Sequence, residues 1–171
     1  NNNTLIGDNA GTTITTASNN TAVGSRAMIA NTSGADNTAV GEQALTVNTT
    51  GANNTAIGKA ALLLNTTASN NTAVGSSAMY ANTTGTRNTA VGANALDANT
   101  SGSYNSAFGT HAGSSITTGT LNSVFGDYAL AGTTTASGNS AFGQAALGTN
   151  STGGNNSAFG KDALYANTTG G

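Results

Sequence analysis

An all-β parallel solenoid, or β-roll, is the fold class this sequence predicts, and three observations predict it. Glycine recurs at Gly7, Gly24, Gly41, Gly58, Gly75, Gly92, Gly109, Gly126, Gly143 and Gly160, a spacing of 17 held through ten units without an insertion. Such a unit is too short for the helix pairs of α-helical repeats, which take about 30 to 45 residues, but it can hold two short strands and two turns. Apolar residues also keep to fixed columns of the unit, as coils sharing one core require.

Asn37 to Gly51 shows the unit: Asn-Thr-Ala-Val-Gly-Glu-Gln-Ala-Leu-Thr-Val-Asn-Thr-Thr-Gly, with two variable residues before the next Asn. Its first four positions read as a strand. Thr and Val face one side, Ala the other, and β-branched residues suit that pleated surface. The position-five glycine ends the strand where the chain must bend. A second strand is expected from the eighth-position Ala, the same residue from Ala10 to Ala163 in every unit, toward the Thr pair. A small residue at position fifteen (Gly34, Gly51, Ala68, Gly85, Gly102) closes the coil. Ten coils stacked at about 4.8 Å would be about 48 Å long. They form a single domain over 1–171, with no capping unit at either end.

The first-position asparagines, Asn3, Asn20, Asn37, Asn54, Asn71, Asn88, Asn105, Asn122, Asn139 and Asn156, are expected to form a ladder. A buried amide is costly unless bonded, and stacked asparagines can bond to the coil above and below. The expected core combines the Val, Ile or Phe at position four with the Leu or Met at position nine. Two covariations fit a shared interior. Where Gly11 and Gly113 replace the usual Leu, Ile14 and Ile116 replace the Asn three residues on, which conserves core volume. From residue 105 onward, Phe108, Phe125, Phe142 and Phe159 coincide with Ser106, Ser123, Ser140 and Ser157, a bulkier ring beside a smaller neighbour on one strand face. A repacking of the core after about residue 105 is expected.

Only 6% of the 171 residues are charged, against about a quarter in an ordinary domain, and proline and cysteine are absent. Disulfides and thiolate metal sites are excluded. Arg26, Lys59, Arg87 and Lys161 are scattered in a chain of net charge −2, so no nucleic-acid footprint exists. No apolar run reaches the roughly 18 residues of a membrane helix. The regular columns argue against the disorder that so polar a composition would otherwise imply.

Little here resembles chemistry. His111 is the single histidine, placed in the variable pair after Gly109, where a solvent-facing turn residue is expected. Asp8, Asp36, Glu42, Asp97, Asp127 and Asp162 share no column, unlike the ligands of calcium-binding repeats. No catalytic residue, metal ligand or cofactor is assigned, and an enzyme is not expected. Asn31-Thr32-Ser33, Asn48-Thr49-Thr50 and Asn82-Thr83-Thr84 match glycosylation acceptors, as a repeat built of Asn and Thr does automatically. Tyr80, Tyr104, Tyr128 and Tyr165 occupy variable columns, where isolated surface tyrosine is the expected reading and carbohydrate or partner contact the alternative.

In its Asn-Thr-Ala-Val-Gly and Asn-Ser-Ala-Phe-Gly segments the chain resembles the head repeats of trimeric autotransporter adhesins. It is similar also to the Asn-Thr-Ala-Ile-Gly, Ala-Leu, Asn-Thr-Thr-Gly repeats of bacterial surface and phage tail-fibre proteins. The resemblance spans every coil, although this unit is longer than the adhesin-head repeat. It implies a left-handed β-roll, a homotrimer, a setting outside the cell on a cell or virion surface, and a host-surface or carbohydrate receptor. Trimerisation has a physical motive too: a strand with Ala on one side and Val on the other can bury one face in the roll and offer the other to a neighbour.

The function expected from these readings is a rigid structural shaft, an extracellular fibre or adhesin segment. With no capping unit, it is either an excerpt of a longer fibre or a subunit that stacks end to end into filaments. A different class is an ice-binding solenoid, for which the Thr columns at positions two, thirteen and fourteen would supply the array.

Overall fold

The computed structural model describes residues 2–170; Asn1 and Gly171, the ends of the expected domain, lie outside the described residues. Ten three-residue strands follow one another: β1 Thr4–Ile6, β2 Thr21–Val23, β3 Thr38–Val40, β4 Thr55–Ile57, β5 Thr72–Val74, β6 Thr89–Val91, β7 Ser106–Phe108, β8 Ser123–Phe125, β9 Ser140–Phe142 and β10 Ser157–Phe159. They form one parallel sheet in chain order. Each residue pairs with its equivalent one unit on, as Thr21 with Thr38, Ala22 with Ala39 and Val23 with Val40. The chain is a β-solenoid of 17-residue coils.

Each coil carries one strand rather than the expected two. From the position-eight Ala to the Thr pair the chain is a run of turns, and the hydrogen bonding explains why. Ala27 and Asn31 donate to Gly24 and Met28 within their own coil, whereas the N–H groups of Arg26, Met28 and Ala30 reach carbonyls of the coils on either side. Alternate amides therefore close turns while the others hold the stack. The backbone is left-handed at Arg26 (φ 59°) and Met28 (φ 50°), and again in every coil at the equivalent places. A left-handed residue costs about 1–2 kcal/mol, whereas burying a Leu or Met side chain is worth about 1.5–3 kcal/mol. Core burial outweighs the strain at position nine.

The core consists of the Ala columns at positions three and eight and the Leu or Met column at position nine; Ala39, Ala44 and Leu45 are all fully buried. The expected position-four contribution is reversed. In β3 Ala39 is buried while Thr38 and Val40 are half exposed, so the aliphatic and Phe column faces outward. The roll is narrow, and what the strand sends inward against the facing Leu is a methyl group. The Val-to-Phe change after residue 105 accordingly alters the outer face, while Ala90, Ala107 and Ala141 keep the inner one unchanged and Val124 adds two methyl groups to it.

The volume exchange at coils one and seven is direct. A Cβ built on Gly113 would lie 3.0 Å from Cδ1 of Ile116 and 3.0 Å from Cδ2 of Leu96, so the buried Ile116 fills the space of the absent leucine. At Gly11 the intruders are Cδ2 of Leu5, at 2.7 Å, and Cδ1 of Ile14, at 2.9 Å. The position-five glycine has a two-fold cause. Gly41 has φ +137°, and a Cβ there would meet the carbonyl oxygen of Gly58 at 2.5 Å, so both the conformation and the coil spacing demand glycine.

Candidate interaction surface

Asparagine side chains bind the coils together inside, and this fixes which surfaces remain for partners. The first-position amides, nearly all buried, use both ends. Oδ1 of Asn37 accepts from the backbone N–H of Asn54 at 2.9 Å, and Nδ2 of Asn37 donates to the Gly51 carbonyl at 2.9 Å. The same pattern runs from Asn3, whose Oδ1 accepts from the N–H of Asn20 at 2.9 Å, to Asn156, whose N–H donates to Asn139 Oδ1 at 2.9 Å.

A second ladder, not expected from the sequence, stands at position twelve. Nδ2 of Asn48 donates to Oδ1 of Asn31 at 3.0 Å, Asn65 to Asn48 at 2.9 Å, Asn82 to Asn65 at 2.9 Å and Asn99 to Asn82 at 2.9 Å. Both ladders converge on the position-fifteen carbonyl: that of Ala68 accepts from Asn54 at 2.9 Å and from Asn65 at 3.0 Å. Both its lone pairs are thus used. The signal was present in the recurrence of Asn at position twelve. Beside it runs a hydroxyl ladder, in which Oγ1 of Thr32 donates to the Thr49 carbonyl at 3.0 Å and Oγ1 of Thr49 to that of Thr66 at 3.0 Å.

The second ladder stops where Ile116 replaces asparagine. Oδ1 of Asn99 is left buried without a donor, and Oδ1 of Asp97 and Nδ1 of His111 are in the same condition. All three belong to the step between coils six and seven. Burial raises the carboxyl of Asp97 above its ordinary range, against the lowering effects of nearby backbone N–H groups and of His111. His111 lies flat on Tyr128, ring centroids 4.6 Å apart, with Nε2 3.3 Å from Nδ2 of Asn94. This histidine is half buried, more enclosed than a free turn residue.

The outer face of the sheet carries none of the chain's charged residues, since every strand position is Thr, Ser, Ala, Leu, Val, Ile or Phe. Phe108, Phe125, Phe142 and Phe159 form one stack along it, with centroid spacings of 4.8, 4.6 and 5.0 Å and near-parallel rings. Charges lie on the turns instead. Lys59 pairs with Glu42 across coils at 3.1 Å, both side chains exposed, and Arg87 lies over the ring of Tyr104. Among the described residues no three His, Asp or Glu side chains gather as metal ligands. No helix there is long and apolar enough to cross a membrane. Asn31, Asn48 and Asn82, the glycosylation-like asparagines, are fully buried members of the second ladder.

Comparisons with protein-family models, with curated proteins and with solved structures give no match to this chain.

Proposed function

We propose that the chain is a rigid shaft segment of an extracellular fibre or adhesin, built to carry length and to associate with further copies of itself. The observation that carries this reading is the division of labour between the two sides of the roll. Inside, two asparagine ladders and a hydroxyl ladder tie coil to coil. Outside, an uncharged sheet face runs along all ten strands, with an apolar column at a constant coil spacing. Only another surface of the same period meets such a column along its whole length, and a second copy has that period. Homotrimers are the closed form of this association; stacking of coil on coil at the roll's ends is the open one.

The test is the native mass and particle shape of the purified chain, by light scattering with electron microscopy. Discrete trimers or filaments are expected, and a monomer at high concentration would overturn the self-association. The half-exposed threonines of β2, β3, β5 and β6 favour a second reading, ice binding. Absence of thermal hysteresis disposes of it.

A further inference from the structure

Coil nine is unusually bare on its turn side. Position seven, which bears His111 and Tyr128 in the two preceding coils, bears Ala145, and position ten, which bears Tyr165 in the next coil, bears Gly148. The result is a cleft of about 290 Å³ lined by Tyr128, Ala131, Gln144, Ala145, Gly148 and Tyr165. Its geometry is specific. Tyr128 is held flat by its stack on His111, at 4.6 Å and 9° between the ring planes, so its other face is left to the coil-nine side, where Ala145 also lines the cleft. On the far side the Tyr165 ring lies over Gly148, where a built Cβ would come within 2.7 Å of its Cε2. Both tyrosines are about half exposed, at 49% and 47%.

We propose that this cleft is a subsite for one neutral pyranose ring. The His111–Tyr128 stack breaks off at Ala145, which leaves one layer open, and a ring seated there continues the stack through its C–H face. The lining has no charge. Its polar groups, the Gln144 amide and the two phenol hydroxyls, each donate and accept, which matches hydroxyls and does not select for an anion or a cation. A few convergent polar groups on an aromatic and apolar wall are the usual make-up of a small-molecule site. A single shallow ring site of this kind binds with a Kd on the order of 1 mM. The inference does not depend on the self-association above, which is read from particle mass.

The experiment is an NMR titration of the full chain with the methyl glycosides of glucose, galactose and mannose, following the tyrosine ring and Gln144 amide signals. At least one glycoside is expected to shift them saturably. Ala145→Tyr adds a residue type that this left-handed column already carries in Tyr128, so the fold is kept; it fills the open layer and is expected to weaken binding at least tenfold. Tyr128→Ala is expected to do the same with an unchanged circular dichroism spectrum. No saturable shift with any of the three glycosides, or shifts that persist undiminished in Ala145→Tyr, would overturn the proposal. So would perturbation by p-cresol alone, which would mark the cleft as a seat for aromatic side chains.

Discussion

Ile116 stands one coil beyond Asn99 in the position-twelve column, and the Oδ1 of Asn99 that an asparagine there would bond is buried without a donor. The isoleucine cannot simply be exchanged, because it fills the volume left by Gly113. Ile116→Asn alone is expected to lower the thermal midpoint by opening that volume. Gly113→Leu with Ile116→Asn restores the Leu and Asn of the other coils and gives Asn99 Oδ1 its donor, an orphan worth about 1–3 kcal/mol, but it leaves the added amide oxygen facing Thr133, whose hydroxyl already donates to the Asn150 carbonyl. A midpoint close to the wild type and above both single variants is expected for the double variant. Thermal unfolding of both variants and of Gly113→Leu completes the cycle, and additive single effects would refute the coupling.

The glycine column supplies a paired test. Gly75 has φ +140°, and a Cβ there would lie 2.4 Å from the carbonyl oxygen of Gly92, while Gly160 has no atom within 4 Å of the same construction. Gly75→Ala meets both strain and collision and is expected to cost more than about 3 kcal/mol, whereas Gly160→Ala carries only the backbone strain of about 1–3 kcal/mol. Denaturant midpoints of the two variants decide it; equal losses would mean that coil spacing plays no part.

Phe125 is stacked on both sides, by Phe108 and Phe142. Two aromatic contacts at about 0.5–1.5 kcal/mol each set the expected loss for Phe125→Ala. Phe125→Asp adds a charge to the outer face, and its expected effect is on assembly: the chain stays folded by circular dichroism but runs as a smaller particle in light scattering. Unaltered particle mass would show that partners do not use this face.

Asp97 gives a pH dependence of definite sign. Desolvation raises its folded-state pKa above the unfolded value, so the folded chain holds the proton more tightly, and the resulting stability is present in acid and is lost as pH rises through the folded pKa. The groups acting on it are the N–H of Asp97 and Ala98 and the ring of His111, all of which work the opposite way. Asp97→Asn is expected to remove this decline and leave the neutral chain more stable than the wild type. Melting the two proteins from the acid range to neutrality checks it; parallel curves would contradict the assignment.

The 17-residue coil, the parallel register and a strand in the first four positions were legible because each repeats in every unit, although the strand itself takes only positions two to four and the position-one Asn stands outside it. The second wall was not. Ala27 and Met28 are adjacent and both fully buried, an arrangement a strand cannot make because its neighbours face opposite ways; that adjacency was the overlooked sign of a turn-built wall. The direction of Val40 was equally obscure, since alternation says that Val and Ala part company but not which of them faces the core. Ile14 and Ile116 gave away the volume exchange, but not its cost to Asn99. The Tyr128–Tyr165 cleft was hidden because it depends on what two variable columns lack, Ala145 and Gly148, as much as on what they bear.

Nearly all the bonds between coils join residues about 17 apart, and this sets how the chain acquires its fold. Closing the first loop of that length is the costly event, after which each added coil closes a loop of the same short length onto a finished edge. The rate is therefore governed by a local nucleus rather than by the length of the roll, as low contact order dictates. The front does not advance evenly. At coil seven it must bury Asn99 Oδ1 and His111 Nδ1 without return, so a pause there is expected: refolding followed by hydrogen exchange should show protection arriving in two phases divided near Asn105, and a single phase would refute it.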